Sequence, residues 1–362
     1  MDLLKFQERI NKVREFLKIN GFGLQFVCSL YNLSYFTGVH PLALERLTLL
    51  SISQEGKPTI ILPRLSEQEF KHLGSDFNLR VWEDGQDPIK FVEEELQRLP
   101  PGLPLLLDRG TPGYLVLALS RLLPIEQILF NEEAIKALRQ KKEGEEIELL
   151  KASGAIADQV LRLAFDFAKP GMTELEVASY MITEIMKRGA LADPPVPTVA
   201  SGPNSAVPHH QTGSRRLQFG EPLLIDFGCV FNGYYSDITR TIFLGEPSEE
   251  FQMVYRIVKE AQEKALSKIR PGIPLGSIDR EAREHIANSG FGDYFIHRLG
   301  HGLGMEIHEE PYVFSENSDL IEVGMCFSVE PGIYLPGNFG VRIEDCVVVQ
   351  EEGPLLLTHS PK

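Results

Sequence analysis

The sequence contains no apolar run approaching the ~18 residues that a membrane-spanning helix requires, so a membrane is not expected among its partners. Its first segment, MDLLKFQERINKVREFL, also lacks the apolar stretch of a secretory signal. Charges are scattered through it, and it reads as an amphipathic helix. A cytoplasmic location is expected. Cysteine is scarce: Cys28, Cys229, Cys326 and Cys346 stand far apart in apolar segments and form no CxxC pair. Buried free thiols are expected, with no part in the chemistry. Basic residues are outnumbered, 36 Lys and Arg against 51 Asp and Glu, for a net charge of −15. Such a surface repels phosphate backbones and anionic lipid and favours cations, so nucleic acid is excluded as an expected partner.

What is present points to a two-domain α/β protein. At 362 residues with 43% hydrophobic content, the chain is long for one domain and rich enough for large cores. From residue 1 to about 138, helical and strand signals alternate. A helix ends near Asn20-Gly21. Strands are expected over Leu24–Leu30, Leu47–Ser53, Pro58–Leu62 and Leu103–Leu107, with a turn over Asn32–Gly38. His40 and His72 stand isolated there. The charged segment beginning at Arg139 marks the junction. Beyond it, Glu145, Glu146 and Glu148 crowd the start of a long helix, where the macrodipole favours them, and Lys169-Pro170-Gly171 ends it.

The stretch EPLLIDFGCVFNGYYSDITRTIF, Glu221 to Phe243, organises the second domain. Two apolar runs around Asn232-Gly233 predict a β-hairpin. With those two residues as the loop, Asp226 faces Thr239, and Asp237 lies two residues along the same strand. Period-two alternation then puts both carboxylates on one face. Like charges side by side in an apolar hairpin are costly unless neutralised. A divalent cation does that; a solvated hairpin face is the bland alternative. The pattern recurs downstream. Lys169-Pro170-Gly171 opens the approach to Asp226, and Arg270-Pro271-Gly272 opens the approach to Glu330. A second hairpin carries Glu330 and Glu344, which share a face if its loop has an odd number of residues. Between the hairpins lies HRLGHGLGMEIHEEP, whose glycines around His301 permit close backbone approach. Four carboxylates and one imidazole suit two Mn²⁺-like ions, with Co²⁺, Fe²⁺ or Zn²⁺ able to substitute.

Together LLIDFG, YYSDITRTI, HRLGHGLGMEIHE, SVEPGIY and VRIED resemble the pita-bread metallopeptidases, namely prolidase and aminopeptidase P. The resemblance covers essentially the whole chain. It implies a creatinase-type N-terminal α/β domain, 1–138, followed by a pita-bread catalytic domain, 139–362, with halves related by a pseudo-twofold axis. It implies two metal ions held by Asp226, Asp237, His301, Glu330 and Glu344, with Asp237 and Glu344 bridging. Glu330 would also take a proton from water. His209 and His308 would hydrogen-bond the scissile carbonyl, with His210 as the alternative to His209. His297 would lie near the proline pocket or be structural, and Arg342 would orient acidic groups. The implied substrates are Xaa-Pro dipeptides or short proline-containing peptides, cleaved by a homodimer whose N-terminal domain helps limit substrate length. Prolidases often place an arginine four residues after the second substrate histidine; here that position is Tyr312, which weakens strict dipeptide specificity. Two rivals on the same fold are a creatinase-like amidinohydrolase and a non-catalytic binding module. Those relatives lose the ligands that this chain retains.

Overall fold

The computed structural model describes residues 3–41 and 45–362. The chain divides into two compact units, Met1–Leu138 and Arg139–Lys362. In the first unit, the expected amphipathic helix runs Leu3–Asn20 and buries Phe6, Ile10, Val13 and Leu17 at helical spacing. Met1 and Asp2 of that expected segment lie outside the described residues. Six strands, β1 (Leu24–Val27), β2 (Leu49–Ser53), β3 (Thr59–Pro63), β4 (Asn78–Trp82), β5 (Leu105–Leu107) and β6 (Ile128–Phe130), form one sheet. Its order is β4-β3-β2-β1-β5-β6. The sheet is mixed: β2 is antiparallel to both neighbours, whereas β1–β5, β5–β6 and β3–β4 are parallel. Leu24, Phe26, Leu49, Ile61, Leu105 and Leu107 form the centre of its core.

One expectation fails here. Asn32–Gly38 is not a turn; most of it is a helix, Leu30–Thr37, ending on Gly38 in the left-handed region at φ 67°. Ser29 caps the helix locally by accepting from the Asn32 amide, and its start is also held from a distance. Asp108, fully buried, accepts from the Cys28 and Ser29 amides at 3.0 and 2.9 Å and from the Asn32 side chain at 3.1 Å. Its partner lies about 80 positions away in sequence, so no local pattern reveals it. Burial of Leu33, Tyr35 and Phe36 completes the helix.

The second unit consists of two halves of like construction. In the first half, the helix Gly144–Phe167 begins with a capping box in which Glu146 accepts from the Glu143 amide at 2.9 Å. The helix Glu174–Lys187 begins with another, between Thr173 and Glu176. Both pack on a sheet of β7 (Leu191–Ser201), β8 (Glu221–Phe231), β9 (Tyr234–Tyr235) and β10 (Ile238–Leu244), with β8 central. In the second half, the helices Glu249–Lys268 and Leu275–Asn288 cover a separate core. The sheet beneath has the order β12-β11-β13-β16-β17, from β11 (Gly300–Gly302), β12 (Glu309–Val313), β13 (Cys326–Val329), β16 (Asp345–Gln350) and β17 (Gly353–Leu356). β14 (Gly332–Leu335) and β15 (Phe339–Arg342) pair as a separate hairpin.

Both acidic hairpins have geometry that aligns their carboxylates. Asn232 at φ 48° and Gly233 at φ 84° supply the two positive φ values of a type I′ turn, and β8–β10 pairs Asp226 with Thr239. In the second hairpin, Leu335 pairs with Phe339 across a three-residue loop, Pro336 to Asn338. Val329 pairs with Asp345 on one side and Gly332 with Arg342 on the other, so Glu330 and Glu344 are bracketed as facing positions. A bridge between Thr239 and Glu344 joins the two halves where the carboxylates converge.

Candidate metal centre

Asp237 stands at the head of β10, His301 in the middle of β11 and Glu344 between β15 and β16. All three are buried, and one ligand atom of each lies within 4.8 Å of the others. Glu330, just beyond β13, joins them through His301, whose Nε2 is 3.3 Å from Glu330 Oε1 and 3.6 Å from Asp237 Oδ2. Asp226 comes from β8, opposite Thr239. Its Oδ2 is gripped by the Arg342 guanidinium.

The strand β11 is pressed close to β13. A Cβ on Gly300 would lie 2.0 Å from the Ser328 carbonyl oxygen, so no side chain fits there. Ser328 also accepts from the His301 amide at 3.0 Å and donates to Glu330 Oε1 at 3.2 Å. Gly300→Ala is therefore expected to cost about 1–3 kcal/mol in overpacking. Because the shift separates His301 from Glu330, it should also weaken Mn²⁺ binding about tenfold or more. Thermal melts and calorimetric titration read the two effects, and unchanged Mn²⁺ affinity would refute the second.

The electrostatics of the cluster fit a cation. Burial, then Asp226 and Glu330, hold the Asp237 carboxyl well above its usual range. Burial, then Asp237 and Glu330, do the same to Glu344. Burial outweighs Arg342 at Glu330 and pushes it up to about 7. Glu344 Oε1 is buried with no hydrogen-bond partner, while its Oε2 accepts from Thr239 at 2.7 Å. His301 is kept neutral: burial and then His308 bring it down to about 3. Its Nδ1–H points to the Gly302 carbonyl at 3.2 Å, which leaves the Nε2 lone pair aimed at carboxylate oxygens. An acceptor facing acceptors is repulsive until a cation stands between them.

The remaining expected residues surround this cluster. His308 packs edge-on against His301, ring centroids 4.1 Å apart. Burial and then Arg298 lower its pKa, so at neutral pH it is a neutral imidazole with an N–H to donate. His209 is exposed and close enough to act electrostatically on both His308 and His297. His210, the alternative to His209, is turned away: its Nε2 is 2.8 Å from the buried Glu174, which also accepts from Ser201 and Asn204. His297 uses both ring nitrogens, one 2.7 Å from the Arg298 carbonyl and the other 2.9 Å from the Tyr334 hydroxyl. Burial and Arg342 bring it down to about 4.

Sequence reasoning missed Tyr334, Thr239, Ser328 and Glu174. Tyr334 accepts from Arg342 Nη1 at 2.8 Å and, by donating to His297, links Asp226, Arg342, Tyr334 and His297 in one chain. Burial pushes its hydroxyl up to about 12, so it stays protonated. Thr239 had a readable signal, since the hairpin register places it directly across from Asp226. The others depend on pairings between distant segments.

A paired-half α/β unit with a buried cluster of carboxylates and one imidazole defines a pita-bread metallopeptidase. Residues 148–351 match Metallopeptidase family M24, and residues 9–141 match the Creatinase/Prolidase N-terminal domain. The chain belongs to metallopeptidase family M24, with the expected creatinase-type α/β domain ahead of its catalytic domain. It is 37% identical over 335 residues to the probable dipeptidase PepE of Mycobacterium tuberculosis, covering 91% of this chain and 88% of that one. Among solved structures, it is similar to the recombinant prolidase of Thermococcus sibiricus, with TM-score 0.92, 38% identity, and 100% and 98% of the two chains covered. It is also similar to the dipeptidase PepE of Mycobacterium ulcerans, with TM-score 0.92, 35% identity, and 100% and 97% covered. No helix among the described residues is long and apolar enough to cross a membrane.

Proposed function

We propose that this metallopeptidase hydrolyses the Xaa-Pro bond of dipeptides or short peptides, using two divalent ions, Mn²⁺ foremost. The observation that carries the reading is the His301 Nε2 lone pair aimed into a cluster of buried carboxylates, beside an unpartnered Glu344 oxygen. Similarity to prolidases and dipeptidases supports the substrate class. Asp226, Asp237, His301, Glu330 and Glu344 would hold the ions, Asp237 and Glu344 shared between them. Four carboxylates nearly balance two dications, which one ion would not do. Bound there, such ions supply Lewis acidity and lower the pKa of a water nucleophile.

The chain's own groups do the rest. Glu330 takes the proton of the attacking water on its carboxylate. His308 and His209 donate to the scissile carbonyl oxygen as charge develops on it. Arg342 restrains Asp226 and, through Tyr334, orients His297. Proline lacks an N–H and has a fixed φ, which excludes it from ordinary peptidase sites and suits a dedicated pocket. The resemblance further supports a homodimer, which sedimentation equilibrium would test.

An assay with Mn²⁺ comparing Ala-Pro with Ala-Pro-Ala tests this reading. Cleavage of neither peptide by a fully loaded sample would sink it. His308→Ala is expected to lower kcat by about 10²–10³ with metal content unchanged. Parallel loss of bound metal would make His308 a ligand instead.

A further inference from the structure

A cation stands beside the cluster, over the residue that pairs with His301. Among the described residues the Arg298 guanidinium has neither an ion pair nor a hydrogen bond; its contact is the face of Tyr312, with the guanidinium carbon 4.2 Å from the ring centroid. Tyr312 is the register partner of His301 across β11 and β12. Directly paired residues project to the same side of a sheet, so the stack stands beside the proposed metal ligand. The positive charge of Arg298 is felt at His301, His308 and Glu330, lowering the pKa of each. The chain on either side of it is fixed. Arg283 donates to the His297 carbonyl at 2.8 Å, the Leu299 amide donates to the buried Asp279 at 2.9 Å, and the His297 ring bonds the Arg298 carbonyl.

We propose that Arg298, stacked on Tyr312, receives the C-terminal carboxylate of a dipeptide substrate. The proposal rests on the peptidase reading above and sharpens its substrate class. A guanidinium held over an aromatic face by its carbon can keep N–H groups free, and these match a carboxylate with two parallel hydrogen bonds. The ring limits the rotamers that would otherwise be lost on binding. Arg298 therefore supplies the charge that Tyr312, standing where related enzymes often have an arginine, does not. A longer peptide presents a neutral amide at that point and gains nothing from it, which makes this enzyme a dipeptidase.

The test uses the full-length Mn²⁺-loaded enzyme on Ala-Pro, Ala-Pro amide, Ala-Ala and Ala-Ala amide. Wild type is expected to favour acid over amide about 100-fold in kcat/KM. Arg298→Gln should bring that ratio near one by raising KM for the acid far more than for the amide, with bound Mn²⁺ and Tm reporting an intact metal site and fold. Arg298→Gln combined with Tyr312→Arg should restore at least part of the preference, whereas Arg298→Lys should restore little. A wild-type ratio near one overturns the inference without any variant, and so does an equal loss on acid and amide in Arg298→Gln. Cleavage of Ala-Ala but not Ala-Pro, with the acid preference still dependent on Arg298, would sink the proline reading and leave this one standing.

Discussion

Asp237→Ala is expected to remove measurable Ala-Pro hydrolysis at saturating Mn²⁺, a fall in kcat on the order of 10⁴ or more. The residue is 8% exposed and stands within the Asp237–His301–Glu344 group. As a shared ligand it would serve both ions, so its loss should reduce bound manganese from two ions per chain to one or none, read by elemental analysis. Stability should respond with the opposite sign in the metal-free protein. Burial and the charges of Asp226 and Glu330 oppose ionisation of this carboxyl, so removing it relieves repulsion. Metal-free Asp237→Ala should melt no lower than metal-free wild type. The rise in Tm that Mn²⁺ gives the wild type should be largely absent from the variant, because that rise comes from ions binding only the folded state. Full activity in Mn²⁺, or an undiminished Mn²⁺-induced rise, would remove Asp237 from the metal centre.

The largest stability effect is expected at Glu309, the residue after His308. Lys142 Nζ lies 2.6 Å from its Oε1, Arg139 holds its Oε2, and Arg139 also pairs with Glu306 at 2.6 Å. Glu309, Lys142 and Arg139 are all buried. Glu309→Gln leaves two buried cations short of their countercharge, and breaking such a group costs about 3–5 kcal/mol, on the order of 10 °C in Tm. The pH dependence has a definite sign. Burial raises the Glu309 pKa, but Lys142 and Arg139 outweigh it, so the folded-state value lies below the ordinary one. The stabilisation is therefore complete above the unfolded pKa of about 4.3 and is lost as pH falls through the lower folded value. The Tm gap between wild type and Glu309→Gln should be constant from pH 8 to 6 and narrow as pH drops below about 4. A gap that instead widened in acid would show that Glu309 is not held as a carboxylate. Because β12 carries both Glu309 and Tyr312, the variant should also raise KM for dipeptides.

Much of this centre is written in local pattern. Asn232-Gly233 can close only a tight hairpin, and period-two alternation then aligns Asp226 with Asp237 whatever surrounds them. The glycines flanking His301 announce a close approach, and Gly300 does lie against the Ser328 carbonyl. Those inferences hold because they need only nearest neighbours and the geometry of one ladder. The segment Asn32–Gly38 shows the limit. Its polar residues read as a turn, yet Asp108, just beyond β5, holds the Cys28 and Ser29 amides at the start of a helix there.

The sequence by itself determined the hairpins, the acidic and imidazole groups they carry, and the need for positive charge among them. Folding alone decided which cation answers which anion. Arg139 and Lys142 read only as part of a charged junction and lie buried on Glu309. Arg342 reaches Asp226 across more than a hundred positions, and Arg298, among the described residues, stands over Tyr312 without a carboxylate partner. Charge pairing depends on distances of a few ångströms between segments remote in the chain, and periodicity carries no information about those.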